Sequence, residues 1–398
     1  MGNIQDGEIV FDKLVYSNDL DDNKKLLLQY GDLLFNRTNS AELVGKTAIF
    51  RGQRNAIFAG YLILLRPIFI NSEYLNLLLN TPYARDYCNE VKTIGVQQCN
   101  INAEKISNLL IPVPNLHETV AIVEKVKNIA LPIIKYGEFY QKLKHLNREL
   151  PIIIRKSILQ EAIQGKLVPQ IAEEGTAREL LEQIKTEKEK LVREGKLKKS
   201  ALTDSVIFRG DDNKYFEKIG KTEQDITDEI PFDIPNTWVW VRHNDLFDIS
   251  GGSQPPKSKF IEREKEGYIR LFQIRDYGSN PQPIYIPLST ASKISQKGDI
   301  LLARYGASLG KVFYAEYGAY NVALAKVIPL YESRLIFQKY IFLYYCSSIY
   351  QNEIVNRSRC AQAGFNKEDL NSLLFPLPPL SEQYRIVEKY EKAIASIM

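Results

Sequence analysis

Histidine and cysteine are scarce in this chain: three histidines (His117, His145, His243) and four cysteines (Cys88, Cys99, Cys346, Cys360) are scattered over 398 residues. No two cysteines form a CxxC pair, so reduced thiols are expected rather than a zinc cluster or a disulfide framework. No run of about 18 apolar residues is present, which excludes a helix able to span a membrane. The opening MGNIQDGEIVFDK has no basic stretch followed by an apolar one, so a cytoplasmic location is the expectation. Glycine follows the methionine, but Asp6 stands where a myristoylation site needs Ser or Thr. An excess of one charge is lacking too. With 52 basic against 48 acidic residues the net charge is +4, which permits a nucleic-acid partner without demanding one, so any basic surface has to be local. A hydrophobic share of 44% and a charged share of 25% leave room for two or three domains, each with its own core.

What is present is organised around residues 116–170. Val120, Val123, Val126 and Ile129, then Ile154, Ile158, Leu159 and Ile163, recur at intervals of three and four, the spacing of one helical face. Pro132 and Pro151 remove hydrogen bonds inside that pattern, so helix breaks or kinks are expected there, and Gly165 with Pro169 supplies an ending. The stretch reads as an arm that packs on another long helix and separates two globular bodies. About 35 helical residues at roughly 1.5 Å each give on the order of 50 Å.

Before the arm, residues 1–115 hold short strand-like runs and one helix, residues 72–91 with Ser72 as its cap, which makes a mixed α/β domain. After it, residues 176–199 are amphipathic through Leu180, Leu181, Ile184 and Leu191. A basic helix touching DNA backbone is the other reading of this segment, and its interleaved glutamates favour a solvated face. Residues 201–233 are polar and aperiodic and read as a linker. A second strand-rich domain opens at Ile234, where TWVWV alternates as a strand does. Domain limits are thus 1–115, 116–200, 201–233, 234–379 and 380–398, the last piece starting a second arm.

The two globular regions are copies. NLLIPVPNLHETVAIVEKV (residues 108–126) aligns without gaps on SLLFPLPPLSEQYRIVEKY (residues 372–390) with ten of nineteen positions identical. GDLLFNRTNSAELVGKTAIF from Gly31 matches GDILLARYGASLGKVFYAE from Gly298, and QQCNINAEKI from Gln97 matches AQAGFNKEDL from Ala361. The offset stays between 264 and 267 residues. Copy two opens with about forty residues (234–276) whose counterparts in copy one would precede Met1. Copy one continues into the arm, whose counterpart would follow Met398. The expectation is one and a half repeats.

Enzymatic chemistry finds little support. GKT at Gly45 and GASLGKV at Gly306 do not make a phosphate loop, because the first has Ser40 where the leading glycine belongs. The second has three residues between glycines and Val312 in place of the magnesium-binding hydroxyl. No glycine-rich cofactor turn, no NPPF-like tetrapeptide and no metal-binding carboxylate cluster is found.

FNRTNSAELVGKTAIF, the paired PVPNLHETVAIVEKV and PLPPLSEQYRIVEKY, RKSILQEAIQGKLVPQ and DEIPFDIPNTWVWVR together resemble the DNA-specificity subunit of type I restriction and modification systems. The resemblance implies two similar α/β (mixed α+β) target-recognition domains separated by long helices that form an antiparallel coiled-coil-like spacer. It implies a non-catalytic reader of a bipartite double-stranded DNA target that docks adenine methyltransferase (modification) subunits, with a translocating nuclease (restriction) subunit in the larger complex. S-adenosylmethionine, ATP and magnesium then belong to partner subunits, with no cofactor in this chain. Against the family pattern the chain is truncated. The alternatives are a half subunit that needs a second specificity chain, or a methyltransferase-binding fragment that reads no DNA.

Loop-borne cations suit phosphates, bidentate Arg suits guanine, and Asn or Gln suits adenine. The candidate DNA contacts are Arg37, Thr38, Lys46, Gln97, Gln98 and Asn100 in copy one. In copy two they are Lys257 and Lys259 of GGSQPPKSK, Arg275, Arg304, Lys311, Arg357, Arg359 and Gln362. On the arm, Ser157, Gln160, Gln164 and Lys166 are the candidates for partner or interhelix contacts.

Overall fold

The computed structural model describes residues 2–96, 98–203, 205–332, 334–358 and 364–397. The chain divides into two units, residues 1–144 and 145–398. The first begins with β1 (Ile4–Gln5), β2 (Glu8–Ile9) and the short helix α1 (Leu20–Lys25), followed by β3 (Leu33–Asn36), β4 (Thr38–Asn39), β5 (Thr47–Ile49) and β6 (Leu62–Leu65). Its main sheet has the order β1-β2-β5-β3-β6, and β3 is antiparallel to both β5 and β6. Leu33 and Phe35 pack with Leu79, Cys88 and Ile101, while Leu34 packs with Ala48 and Phe50. Successive strand residues thus enter opposite layers, and both faces of the sheet are covered.

Residues 72–91 form two helices rather than one, α2 (Ser72–Leu79) and α3 (Pro82–Val91). Asn71, not Ser72, caps the first, and Thr81 caps the second with Pro82 in its first turn, where a missing N–H leaves nothing unpaired. The strands β7 (Thr93–Ile94) and β8 (Cys99–Asn100) join β4 in a small sheet, and α4 (Ala103–Ser107) follows.

Helix α5 (Leu116–Ile163) is continuous through Pro132 and Pro151, so the expected breaks are absent. The two prolines leave the carbonyls of Asn128 and Asn147 without a helical donor, and both residues are exposed, so water can take them. The helix stops where expected, at Gly165 with φ +74°. Much of its middle is apolar and solvent-facing, with Leu131, Ile133, Tyr136 and Phe139 all more than 60% exposed.

The second unit continues with α6 (Ala177–Arg193), opened by a capping box between Thr176 and Glu179. Its apolar face buries Ala177, Leu180 and Ile184, and Lys188 is buried with its ammonium donating to the Asp245 carbonyl at 3.0 Å. Residues 201–233 are not a linker: β9 (Val206–Arg209), β10 (Tyr215–Ile219) and β11 (Thr222–Asp225) form an antiparallel meander. The charges that made this stretch look solvated include Glu217, which is buried and receives both Nε and Nη2 of Arg242 at 2.9 and 2.6 Å. Arg242 also binds Glu229 and the Ser372 carbonyl.

Then come β12 (Val239–Arg242), the one-turn α7 (His243–Leu246), β13 (Phe247–Gly251), β14 (Tyr268–Phe272), β15 (Tyr285–Pro287), β16 (Ile294–Ser295), β17 (Ile300–Ala303), β18 (Val312–Tyr314), β19 (Gly318–Tyr320) and β20 (Leu324–Pro329). The chain closes with α8 (Gln338–Cys346), α9 (Ser348–Ser358), β21 (Leu374–Leu377) and α10 (Leu380–Ala395). The sheets are ordered β13-β20-β17-β18, β15-β14-β19-β16 and β12-β21. A core rich in aromatic residues, including Phe247, Tyr340, Tyr344, Tyr345, Tyr350 and Phe375, fills the space between strands and helices.

The duplication holds in three dimensions. The triple β5-β3-β6 corresponds to β18-β17-β20, antiparallel throughout, and each is followed by a helix pair broken at a hydroxyl residue. Thr81 Oγ1 donates to the Leu78 carbonyl and Ser347 Oγ to the Tyr344 carbonyl, both at 2.6 Å. Asn102 Oδ1 accepts from the Lys105 amide in one copy and Asn366 Oδ1 from the Asp369 amide in the other.

Candidate nucleic-acid interface

The best-matched pieces of the two copies are the turns that carry Arg37 and Arg304. In copy one the Asn36 amide donates to the Lys46 carbonyl at 2.8 Å, the Gly45 amide to the Asn36 carbonyl at 2.8 Å, and the Arg37 amide to the Tyr61 carbonyl at 3.1 Å. In copy two the same three bonds join Ala303 to Lys311, Gly310 to Ala303 and Arg304 to Ala323, at 2.8, 2.9 and 2.9 Å. Gly45 and Gly310 have φ of +85° and +81°, and a Cβ there would meet Cys88 Sγ at 2.9 Å or Ile354 Cγ2 at 3.1 Å. Glycine is needed for both reasons. The turn is therefore a backbone device that sets one arginine and one lysine at the end of a buried strand pair.

In copy one the structure brings Arg37, Thr38 and Asn100 together. Thr38 pairs with Asn100 across β4 and β8, Asn100 Nδ2 donates to Thr38 Oγ1 at 2.7 Å, and the Ile101 amide donates to the Arg37 carbonyl at 2.9 Å. Gln98 is exposed beside the β7–β8 turn. Lys46 is half-buried and lines a small cleft of about 250 Å³ with Gln5, Asn36 and Asn39. Asn36 Oδ1, at a position no motif singles out, is buried there without a hydrogen-bond partner.

In copy two Arg304 is half-buried. Its Nε donates to the Phe365 carbonyl at 3.2 Å, and its guanidinium carbon lies 5.1 Å from the centre of the Tyr305 ring. A Cβ at Gly251 would come within 2.5 Å of Arg304 Nη1, so the end of β13 leaves the space the guanidinium needs. Lys293, not singled out in the sequence, donates to Ser250 Oγ at 3.0 Å and adds a cation beside this strand end. Lys311 is exposed, as are Lys257 and Lys259 on a 3-10 turn. Arg275, also exposed, donates to Gln282 Oε1 at 3.0 Å. Arg357 lies on α9, and Gln97, Arg359 and Gln362 fall outside the described residues. An arginine held by a backbone carbonyl and a ring while part of it stays open is suited to phosphate or guanine.

The arm candidates separate. Gln160 Oε1 accepts from Ser348 Oγ at 2.7 Å, so Gln160 joins α5 to α9. Gln160 and Gln164 line a cleft of about 460 Å³ with Glu229, Asn352 and Asn356. Lys166 Nζ donates to Gln164 Oε1 at 2.7 Å, and Ser157 is exposed.

Cys88, Cys346 and His243 lie in or against the cores of the two copies. Burial pushes the Cys88 thiol up and the Cys346 thiol up to about 11. Burial pulls His243 down to about 3, against a small upward pull from Asp248, and its Nε2 meets the Tyr345 hydroxyl at 2.8 Å. Among the described residues no group of three or more His, Cys, Asp or Glu is placed to hold a metal ion, and no helix is long and apolar enough to cross a membrane.

Comparison with known proteins agrees with this architecture. Residues 235–398 match the type I restriction modification DNA specificity domain. Over 99% of the chain and 79% of the relative, the sequence is 26% identical to a putative type I restriction enzyme MjaX specificity subunit of Methanocaldococcus jannaschii. It is 22% identical to the type I restriction enzyme EcoAI specificity subunit of Escherichia coli over 95% of this chain, which spans 60% of that relative's length. The crystal structure of the HsdS subunit from Thermoanaerobacter tengcongensis has a similar fold, with a TM-score of 0.51 at 19% identity over 93% of this chain and 75% of that one. Residues 235–398 thus carry a type I restriction modification DNA specificity domain, and the relatives that align along nearly the whole chain are type I restriction-enzyme specificity subunits.

Proposed function

We propose that the chain reads a bipartite double-stranded DNA target, one part with each copy, and docks adenine methyltransferase subunits on α5 without performing chemistry itself. The observation that supports this reading best is the repeated turn. Three backbone hydrogen bonds close it in the same way in the two copies, across loops that differ by two residues, each time delivering an arginine and a lysine. The polar residues around it differ: Thr38 and Asn100 in one copy, Tyr305 and Lys293 in the other. A constant frame with variable neighbours suits two readers of unlike half-sites, with phosphate contacts from the frame and base contacts from its surroundings.

The exposed apolar side chains along the middle of α5 support docking, because a patch of that kind on a protein surface marks an interaction site. S-adenosylmethionine, ATP and magnesium are assigned to the methyltransferase and to a translocating nuclease subunit. Footprinting of the chain reconstituted with its modification subunit tests the reading: two protected stretches with an open middle are expected. A uniform footprint, or none, would overturn it. Measurable S-adenosylmethionine binding by the isolated chain would instead support an enzyme.

A further inference from the structure

Two helices of the second unit border a polar cleft that neither the repeated turn nor the apolar stretch of α5 accounts for. Its volume is about 460 Å³, and its walls come from residues 160–374, all inside one unit. Gln160 and Gln164 line it from the end of α5, and Asn352 and Asn356 line it from α9. Each pair is four residues apart. The Gln164 amide still donates to the Gln160 carbonyl at 3.0 Å, so each pair stands on one helical face. Phe232 and Leu374 belong to the apolar part of the lining.

The carboxamides are open to a ligand. Gln160 Oε1 accepts from Ser348 Oγ at 2.7 Å, which ties α5 to α9, orients the side chain and leaves its amide nitrogen for another acceptor. Asn352 and Asn356 are exposed, and neither side chain makes a hydrogen bond among the described residues. Nor does the shared fold ask for asparagine here. Gly45 meets Cys88 where Gly310 meets Ile354, and in that register α3 of copy one carries Asp86 and Glu90 at the matching places.

Charge selects the class of ligand. Among the described residues no lysine or arginine lines the cleft, whereas Glu229 and Glu353 do. Glu229 shares Arg242 with Glu217, two carboxylates to one guanidinium, and its side chain is 48% exposed. Lys166 reaches Gln164 Oε1 at 2.7 Å but is not part of the lining. Such a wall repels phosphates, and nucleic acids are held through cations. A peptide has no such need: each peptide unit offers one N–H and one C=O, the complement of a carboxamide. The spacing fits too. Four residues of helix advance about 6 Å, close to the roughly 6.7 Å between alternate residues of an extended strand.

We propose that this cleft binds an extended peptide segment of a partner protein, its main chain held by Gln164, Asn352 and Asn356 and a Lys or Arg side chain set beside Glu229. Binding of this kind needs neither DNA reading nor methyltransferase docking on the apolar stretch of α5, so it is tested apart from both.

The full chain is panned against displayed random peptides, with the double variant Asn352→Ala, Asn356→Ala as counter-selection, and enriched peptides are resynthesised and titrated by calorimetry. Both changes are exposed on a helix, where alanine is well tolerated. Enriched sequences are expected to share a Lys or Arg. Their affinity should fall roughly tenfold or more on the double variant, as the loss of two hydrogen bonds implies, and likewise on N-methylation of alternate peptide bonds. Glu229→Gln, which still offers Arg242 a carbonyl, should remove the preference for a basic residue and keep main-chain binding. No enrichment over the double variant overturns the site, and tolerance of N-methylation overturns main-chain recognition. Displacement of the peptide by a short DNA duplex, with the same sensitivity to Asn352 and Asn356, assigns the cleft to nucleic acid and overturns the proposal too.

Discussion

The turns after β3 and β17 keep the same backbone hydrogen bonds, whereas the sheet edges beyond β6 and β20 do not carry the same neighbours. The contrast separates two kinds of constraint. A turn closed by a left-handed glycine against a helix tolerates little change at its closing bonds, so these are kept while the loop between them differs by two residues. An edge strand holds its shape with or without a partner. Copy two has buried polar residues, Arg242 and His243, that enter with β12 and α7, and Glu217 of β10 receives the first of them. The segment from β12 to α7 is where the two copies are expected to respond most differently.

Arg242→Ala should give the largest effect. It leaves Glu217 buried without its partner, and removing one half of such a pair costs about 3–5 kcal/mol. Urea unfolding followed by residue-resolved hydrogen exchange should find residues 200–398 weakened and residues 2–110 unchanged. Equal weakening of both would mean that the two copies unfold together.

Acid should separate the copies next. His243 is held near 3 in the folded protein against 6.5 in the open chain, because burial disfavours its charged form. Below pH 6.5 the unfolded chain takes up a proton that the folded chain refuses. The stabilisation is therefore complete above 6.5 and drains away as the pH falls toward 3. The slope is about 1.4 kcal/mol per pH unit, or roughly 2 kcal/mol between pH 6.5 and 5, a window above most carboxylates. Denaturant midpoints for the second unit should fall in this window and those for the first should not, and His243→Gln should flatten the slope.

Much of this was legible in the chain itself. The repeat was visible because gapless identity survives at buried positions such as Leu109 and Val123 and their counterparts, and the end of the arm was visible in Gly165. The meander at 206–225 was hidden because Glu217 looks like a surface charge until Arg242, twenty-five residues on, is seen to bind it. The continuity of α5 was hidden because a proline's effect depends on whether water reaches the freed carbonyl. Asn36 and Lys293 were missed for a related reason: their neighbours come from distant strands, and no spacing along the chain announces them.

Arg37→Ala and Arg304→Ala, made separately with the modification subunit present, put the two frames to the same test. Each should cost about 1–3 kcal/mol in DNA affinity, with Arg37→Ala reducing discrimination in one half-site and Arg304→Ala in the other. Binding titrations over targets varied in one half at a time would check this. A loss that is equal for every sequence and that lowers the salt dependence would reassign that arginine to a phosphate.

The smallest effect, and the cleanest measure of whether the turns are one device, comes from Gly45→Ala and Gly310→Ala. Each forces an L side chain into a left-handed backbone, which costs about 1–2 kcal/mol, and each sets a Cβ against an α3 or α9 side chain. Gly45 faces the unbranched Cys88, with its sulfur at 2.9 Å, while Gly310 faces the branched Ile354, with Cγ2 at 3.1 Å. If backbone strain dominates, the two losses should agree within about 0.5 kcal/mol, the usual error for independent sites. If side-chain crowding dominates they should diverge, and Ile354→Ala should relieve Gly310→Ala as Cys88→Ala relieves the sulfur contact of Gly45→Ala. Agreement would mean the turn can be exchanged between copies as a unit, so that swapping residues 37–46 with 304–311 should preserve folding.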